Sequence, residues 1–93
     1  MVGKTVTHYK ILKKLGAGSM GSVYQALDLK LDRVVALKFL NKDLLLDEEA
    51  RVRFVNEAKI ISTIEHPNIA TIYEIDEIHD SFFISMGYYE GKT

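Results

Sequence analysis

Residues Leu15 to Tyr24 read LGAGSMGSVY, with glycine at 16, 18 and 21, and period-two segments stand on both sides of them. No other feature constrains the chain as much. Before the glycines, HYKILKKL alternates imperfectly, with Tyr9, Ile11 and Leu15 on one side and Lys10, Leu12 and Lys14 on the other. After them, SVYQALDL alternates again. Both segments predict strands, so the glycines form a strand-loop-strand. Three uses of such a loop compete. A dinucleotide turn has the glycine spacing GAGSMG, but its third glycine must open a helix, and here a strand follows. A plain hairpin turn rarely needs three glycines at this spacing. A flap over phosphates does need them, because glycine lets backbone N–H groups approach the oxygens without a side chain between.

The rest of the chain supplies the partners of this hairpin. KLDR, residues Lys30 to Arg33, is a polar turn, and VVALKFL, Val34 to Leu40, is a nearly continuous apolar run that predicts a strand covered on both faces. Asp47 is a good N-cap for a helix running to about Glu65, with Glu48 and Glu49 complementing its positive end. Ala50, Phe54, Ile61 and Ile64 share one helical face, while Val52, Asn56, Lys59 and Thr63 lie opposite. Pro67 disfavours helical geometry at His66 and stops the helix. Two more strands follow, Ile69 to Asp76 and Phe82 to Tyr89, around a turn at His79 to Ser81. The predicted class is α+β: an antiparallel sheet of about five strands, with one long helix between the third and fourth.

Composition narrows the function classes. Ninety-three residues allow a single small domain. Twelve basic and 13 acidic residues give a formal charge of −1, which argues against a broad surface for nucleic acid or anionic lipid. Cysteine is absent, so disulfides, thiolate catalysis and cysteine-bound zinc are excluded from these residues. No apolar run reaches signal-peptide or membrane-span length, and a cytoplasmic location is expected.

Two charges sit where apolar residues belong. Glu57 falls within the stripe of Ala50, Phe54 and Ile61, and Lys38 interrupts the apolar strand. A buried, unpaired charge costs several kcal/mol, so the two are expected to pair in the interior. Such a pair serves either as a structural salt bridge or as a lysine aimed at an anion and held by the glutamate.

Taken in order, Gly16-x-Gly18-x-x-Gly21-x-Val23, VALK with Lys38, a helix with Glu57, and HPNI resemble the N-terminal lobe of the protein kinase family. GSMGSVY, LDRVVALKFL, HPNIATIY and MGYYEG are similar to the motifs of bacterial Ser/Thr kinases of the eukaryotic type, and the likeness covers nearly the whole chain. The resemblance implies a function, transfer of the ATP γ-phosphate to protein hydroxyls, with ATP and Mg²⁺ as cofactors. It implies that Gly16, Ala17, Gly18, Ser19, Met20 and Gly21 cover the phosphates, and that Lys38 contacts the α- and β-phosphates and pairs with Glu57. Leu15, Val23 and Ala36 would then enclose the adenine, Met86 would stand behind it, and backbone groups of Gly87 and Tyr89 would form the hinge. Ile61 and Ile72 match the two regulatory-spine positions. Gly87 departs from the glutamate frequent there, which loosens the hinge without touching its backbone groups.

The resemblance further implies that residues 1–93 are one lobe ending just past the hinge. The family's His-Arg-Asp and Asp-Phe-Gly motifs, which carry the catalytic and metal-binding aspartates, are not among these residues. The 93 residues alone are therefore expected to be catalytically inactive. Protein substrates and metal ligands would belong to a second lobe, and the face left for that lobe, near Ile64 and the hinge, favours self-association. A nucleotide-sensing or kinase-partner module without catalysis is the alternative function.

Overall fold

The computed structural model describes residues 1–63, 69–78 and 81–88. Strands β1 (Thr5–Val6), β2 (Tyr9–Ala17), β3 (Gly21–Asp28) and β4 (Arg33–Leu40) come first, followed by helix α1 (Glu48–Thr63) and strands β5 (Ile69–Ile78) and β6 (Ser81–Tyr88). They form one antiparallel sheet in the order β1-β2-β3-β4-β6-β5. The sheet thus has six strands, one more than the alternation announces. The addition is β1, whose two residues pair with Tyr9 and Lys10 across a turn where Thr7 takes a left-handed φ of 47°. Two residues are too few to show a period. The five longer strands and the helix stand in the expected order.

The continuous apolar run of β4 is explained by the two faces of the sheet. Val35, Leu37 and Phe39 point to one face and pack with Tyr9, Ile11, Ala26 and Phe83. Leu40 points to the other and packs with Phe54, Phe82, Ile84 and Met86. Strand β6 alternates likewise, sending Phe83 one way and Phe82, Ile84 and Met86 the other.

Helix α1 contributes Phe54 to the second cluster, whereas the sheet's own curl closes the first. The Tyr9 ring on β2 meets Phe83 on β6 edge-on at 5.9 Å between centroids, although β3 and β4 lie between these strands. Register shifts in β2 between Ile11 and Lys13 and between Lys14 and Gly16 accompany that curl. They also break the alternation, so Tyr9 and Ile11 are buried while Leu15 is exposed.

Helix α1 begins as the sequence predicts. The Ala50 N–H donates to the Asp47 carboxylate at 3.1 Å, and Glu48 and Glu49 occupy the first turn. Its predicted stop at His66 and Pro67 lies outside the described residues. Phe54 is fully buried and fills the space between helix and sheet, a burial of about 2–3 kcal/mol. Arg51 fastens the helix laterally: its guanidinium donates twice to Glu77 on β5, at 2.8 and 3.2 Å, and once to the Leu45 carbonyl at 3.1 Å, while lying over the Phe82 ring. This clasp ties the first half of α1 to β5.

Candidate phosphate-binding cleft

The glycine loop is a tight closure of β2 onto β3. The Gly18 N–H donates to the Gly21 carbonyl at 2.8 Å, placing Ser19 and Met20 at the tip. Asn41, just beyond β4, then holds that tip: its backbone N–H donates to the Met20 carbonyl at 2.7 Å and its side-chain amide to the Ser19 carbonyl at 2.9 Å. Asn41 carries no sign of this role in the sequence, because only the pairing of Gly21 with Leu40 brings it beside the loop.

The three glycines have different reasons. A Cβ on Gly21 would stand 1.8 Å from the Phe39 carbonyl oxygen, so β3 and β4 require glycine there for close packing. A Cβ on Gly16 or Gly18 would meet nothing within 4 Å. The protein's own packing leaves these two positions free, and the bare backbone there is open to a ligand.

Beneath the loop lies a cavity of about 380 Å³ lined by Gly16 to Gly21, Val23, Lys38, Arg53 and Glu57. Lys38 is delivered by β4, where it pairs with Val23 and Ile84 in the ladder. Its Nζ lies 3.7 Å from Glu57 Oε1 and 5.1 Å from the centre of the Phe54 ring. The expected pair is present, as an ion pair too long for a hydrogen bond. Its setting differs from the expectation. The Lys38 side chain is 14% exposed, but that of Glu57 is 48% exposed, so the glutamate is not in the interior. The helical wheel places Glu57 beside Phe54 correctly; that sector opens onto the cavity instead of being covered. Screening by water makes the pair a weak source of stability and leaves Lys38 able to change partner.

The remaining expected residues divide. Ala36 and Met86 are fully buried neighbours in the ladder, and Gly87 pairs with Val35; the cavity beneath the loop is lined by none of the three. Leu15 is exposed beside the loop. Ile72 packs against the cluster that contains Met86. Tyr89 and the side chain of Ile61 lie outside the described residues. The structure thus brings Gly16 to Gly21, Val23, Lys38 and Glu57 of the expected residues around one open cavity, and adds Arg53, which the apolar stripe gave no reason to select. A broader hollow of about 720 Å³ runs along α1, lined by Asp47, Glu48, Glu49, Val52, Arg53, Asn56 and Glu57; its four carboxylates suit a polyphosphate poorly. Among the described residues, no helix is long and apolar enough to cross a membrane.

Comparison with known proteins agrees with this geometry. Residues 9–93 match the family model described as the protein kinase domain. The serine/threonine-protein kinase PrkC of Bacillus subtilis is 44% identical over 94 residues, covering all of this chain and 14% of the relative. The serine/threonine-protein kinase pkn3 of Myxococcus xanthus is 41% identical over 93 residues, covering 98% of this chain and 17% of the relative. The chain therefore spans less than a fifth of the length of these relatives. Among solved structures, the PknI kinase domain of Mycobacterium tuberculosis superposes with a TM-score of 0.68 at 30% identity, covering 95% of this chain and 36% of that one. Sequence, sheet and loop agree over nearly the full length, and this chain belongs to the protein kinase domain family, homologous to the N-terminal part of that domain in bacterial Ser/Thr kinases.

Proposed function

We propose that these residues are the ATP-binding lobe of a Ser/Thr protein kinase that transfers the γ-phosphate of ATP to protein hydroxyls. One observation carries this: an open glycine backbone at Gly16 and Gly18 faces the same cavity as an exchangeable lysine, Lys38. ATP fits this arrangement because its phosphates need N–H donors and a cation without intervening side chains. When bound, ATP supplies the phosphoryl group to be moved. The chain's part is to bind and orient it: residues Gly16 to Gly21 shield the phosphates from water, Lys38 holds the inner phosphates, and Glu57 keeps Lys38 directed into the cleft. In the same proposal Leu15, Val23 and Ala36 flank the adenine, Met86 backs it, and Gly87 and Tyr89 form the hinge.

Magnesium does not fit the described residues. They contain no group of three metal-ligating side chains, and the cavity's one carboxylate, Glu57, already faces Lys38. In this proposal the metal arrives with the nucleotide and is not held by this chain, and these 93 residues alone do not catalyse transfer. A cytoplasmic location and self-association through the face near Ile64, itself outside the described residues, belong to the same proposal. Sedimentation over a concentration series tests the association.

The direct test of binding is an amide NMR titration with Mg-ATP of the wild type and of Lys38→Met. Saturable shifts at Gly16 to Gly21 that weaken in the variant support the proposal. An unperturbed spectrum at millimolar nucleotide overturns nucleotide binding by this chain.

A further inference from the structure

We propose that Asn41 is a positioning residue of the nucleotide site: it holds the carbonyls at the tip of the glycine loop turned outward, so that the N–H groups of the tip are set for phosphate before ATP arrives. The inference rests on the ATP-binding proposal above and adds to it a residue outside the cavity lining.

A bare glycine backbone presents two poles to an anion. An N–H attracts a phosphate oxygen and a carbonyl repels it, so the loop is a phosphate site only if its peptides face one way. Three successive carbonyls of the loop are taken up by donors of the protein itself. Ser19 accepts from the Asn41 side-chain amide at 2.9 Å, Met20 from the Asn41 backbone N–H at 2.7 Å, and Gly21 from the Gly18 N–H at 2.8 Å. Asn41 thus supplies the donors for both tip residues. The peptides are trans, which puts C=O and N–H on opposite sides of each plane. Holding the Ser19 and Met20 oxygens toward Asn41 therefore sends the Met20 and Gly21 N–H groups away from it. Met20 and Gly21 line the cavity and Asn41 does not, so the side away from Asn41 is the ligand's.

Asn41 is itself firmly placed. It follows Leu40, a buried member of the cluster that contains Phe54, and its own carbonyl accepts the Leu44 N–H at 3.0 Å. The Met20 side chain packs against that same cluster, a second hold on the tip that does not involve the carbonyls. The packing of Met20 fixes where the tip lies, and the donors of Asn41 fix which way its peptides face. A loop free to rotate its peptides has to give up that freedom on binding, whereas a tethered loop has given it up on folding.

The test uses the 93-residue chain as wild type, Asn41→Leu and Asn41→Pro. Leucine keeps the backbone donor and removes the amide; proline accepts the observed φ of −59° and removes both donors. Each protein is titrated with Mg-ATP and with adenosine, which has no phosphates for the loop to hold. Asn41→Leu is expected to weaken Mg-ATP about fivefold, the scale of one hydrogen bond, and Asn41→Pro to weaken it further. Adenosine affinity stays unchanged in both. Without nucleotide, backbone amide relaxation in Asn41→Leu is expected to show added motion at Ser19, Met20 and Gly21, with the rest of β2 and β3 as in the wild type. Weakening of both ligands alike marks a merely structural role and overturns the proposal. Mg-ATP affinity unaltered in Asn41→Leu also overturns it, while leaving ATP binding in place. Absence of Mg-ATP binding by the wild type overturns the underlying proposal and this one with it.

Discussion

At the scale of single residues, the glycines separate packing from function. Gly21→Ala forces a methyl carbon into the Phe39 carbonyl oxygen at 1.8 Å, and β3 must leave β4 to relieve it. The expected cost is about 2 kcal/mol or more, read as a lower melting temperature. Gly16→Ala and Gly18→Ala meet no such obstacle, so the fold keeps its stability within about 1 kcal/mol while nucleotide-induced shifts at the loop diminish. Equal destabilisation by all three substitutions would contradict this division. The spacing of three glycines was legible in the sequence, and so was the alternation that makes the loop a hairpin. Which glycine serves packing was not, because the deciding oxygen belongs to Phe39, on another strand. Asn41 escaped notice for the same reason: an asparagine after a strand carries no mark of the loop tip it holds.

At the scale of elements, α1 is set by one local device and one distant one. The local device is the Asp47 cap, visible in the sequence because capping involves residues only three apart. Asp47→Ala is expected to cost about 1 kcal/mol in chemical denaturation. The distant device is the Arg51–Glu77 clasp, which joins residues 26 positions apart and was invisible before the sheet order was known. The hydrogen bond from Arg51 holds the Glu77 carboxyl below its ordinary value. A carboxyl whose pKa is lower in the folded state contributes stability above the unfolded pKa, and that contribution disappears as pH falls through the folded value. Arg51→Gln should therefore melt below the wild type at neutral pH, and the two should converge under acid conditions. A gap that stays constant down to about pH 2 would contradict the clasp as an electrostatic device. The same distinction explains the expectation for Glu57. Periodicity told which face the glutamate shares with Phe54, but whether anything covers that face depends on elements the wheel does not contain.

At the scale of the whole molecule, the element order was readable because each element carries its own period, and the sheet order was not. Nothing local places β6 between β4 and β5, or tells that the sheet curls until Tyr9 meets Phe83. That curl has a thermodynamic consequence. The loop over the cleft is continuous with β2 and β3, and these strands share one buried cluster with β4 and β6. A ligand that binds under the loop only when the strands are assembled must stabilise the entire sheet. With Mg-ATP about tenfold above its dissociation constant, linkage adds about 1.4 kcal/mol. For a chain of this size that is a rise in melting temperature of roughly 5–10 °C, measurable by calorimetry. Phosphoryl transfer requires more than this cradle, since an attacking hydroxyl has to be positioned and the metal held, and the cavity's groups supply neither. The expected result is a thermal shift without turnover: ADP release in the presence of a generic protein substrate stays at the level of Lys38→Met. Turnover above that level would show that these residues assemble a complete active site, and would replace the view of the chain as a binding lobe.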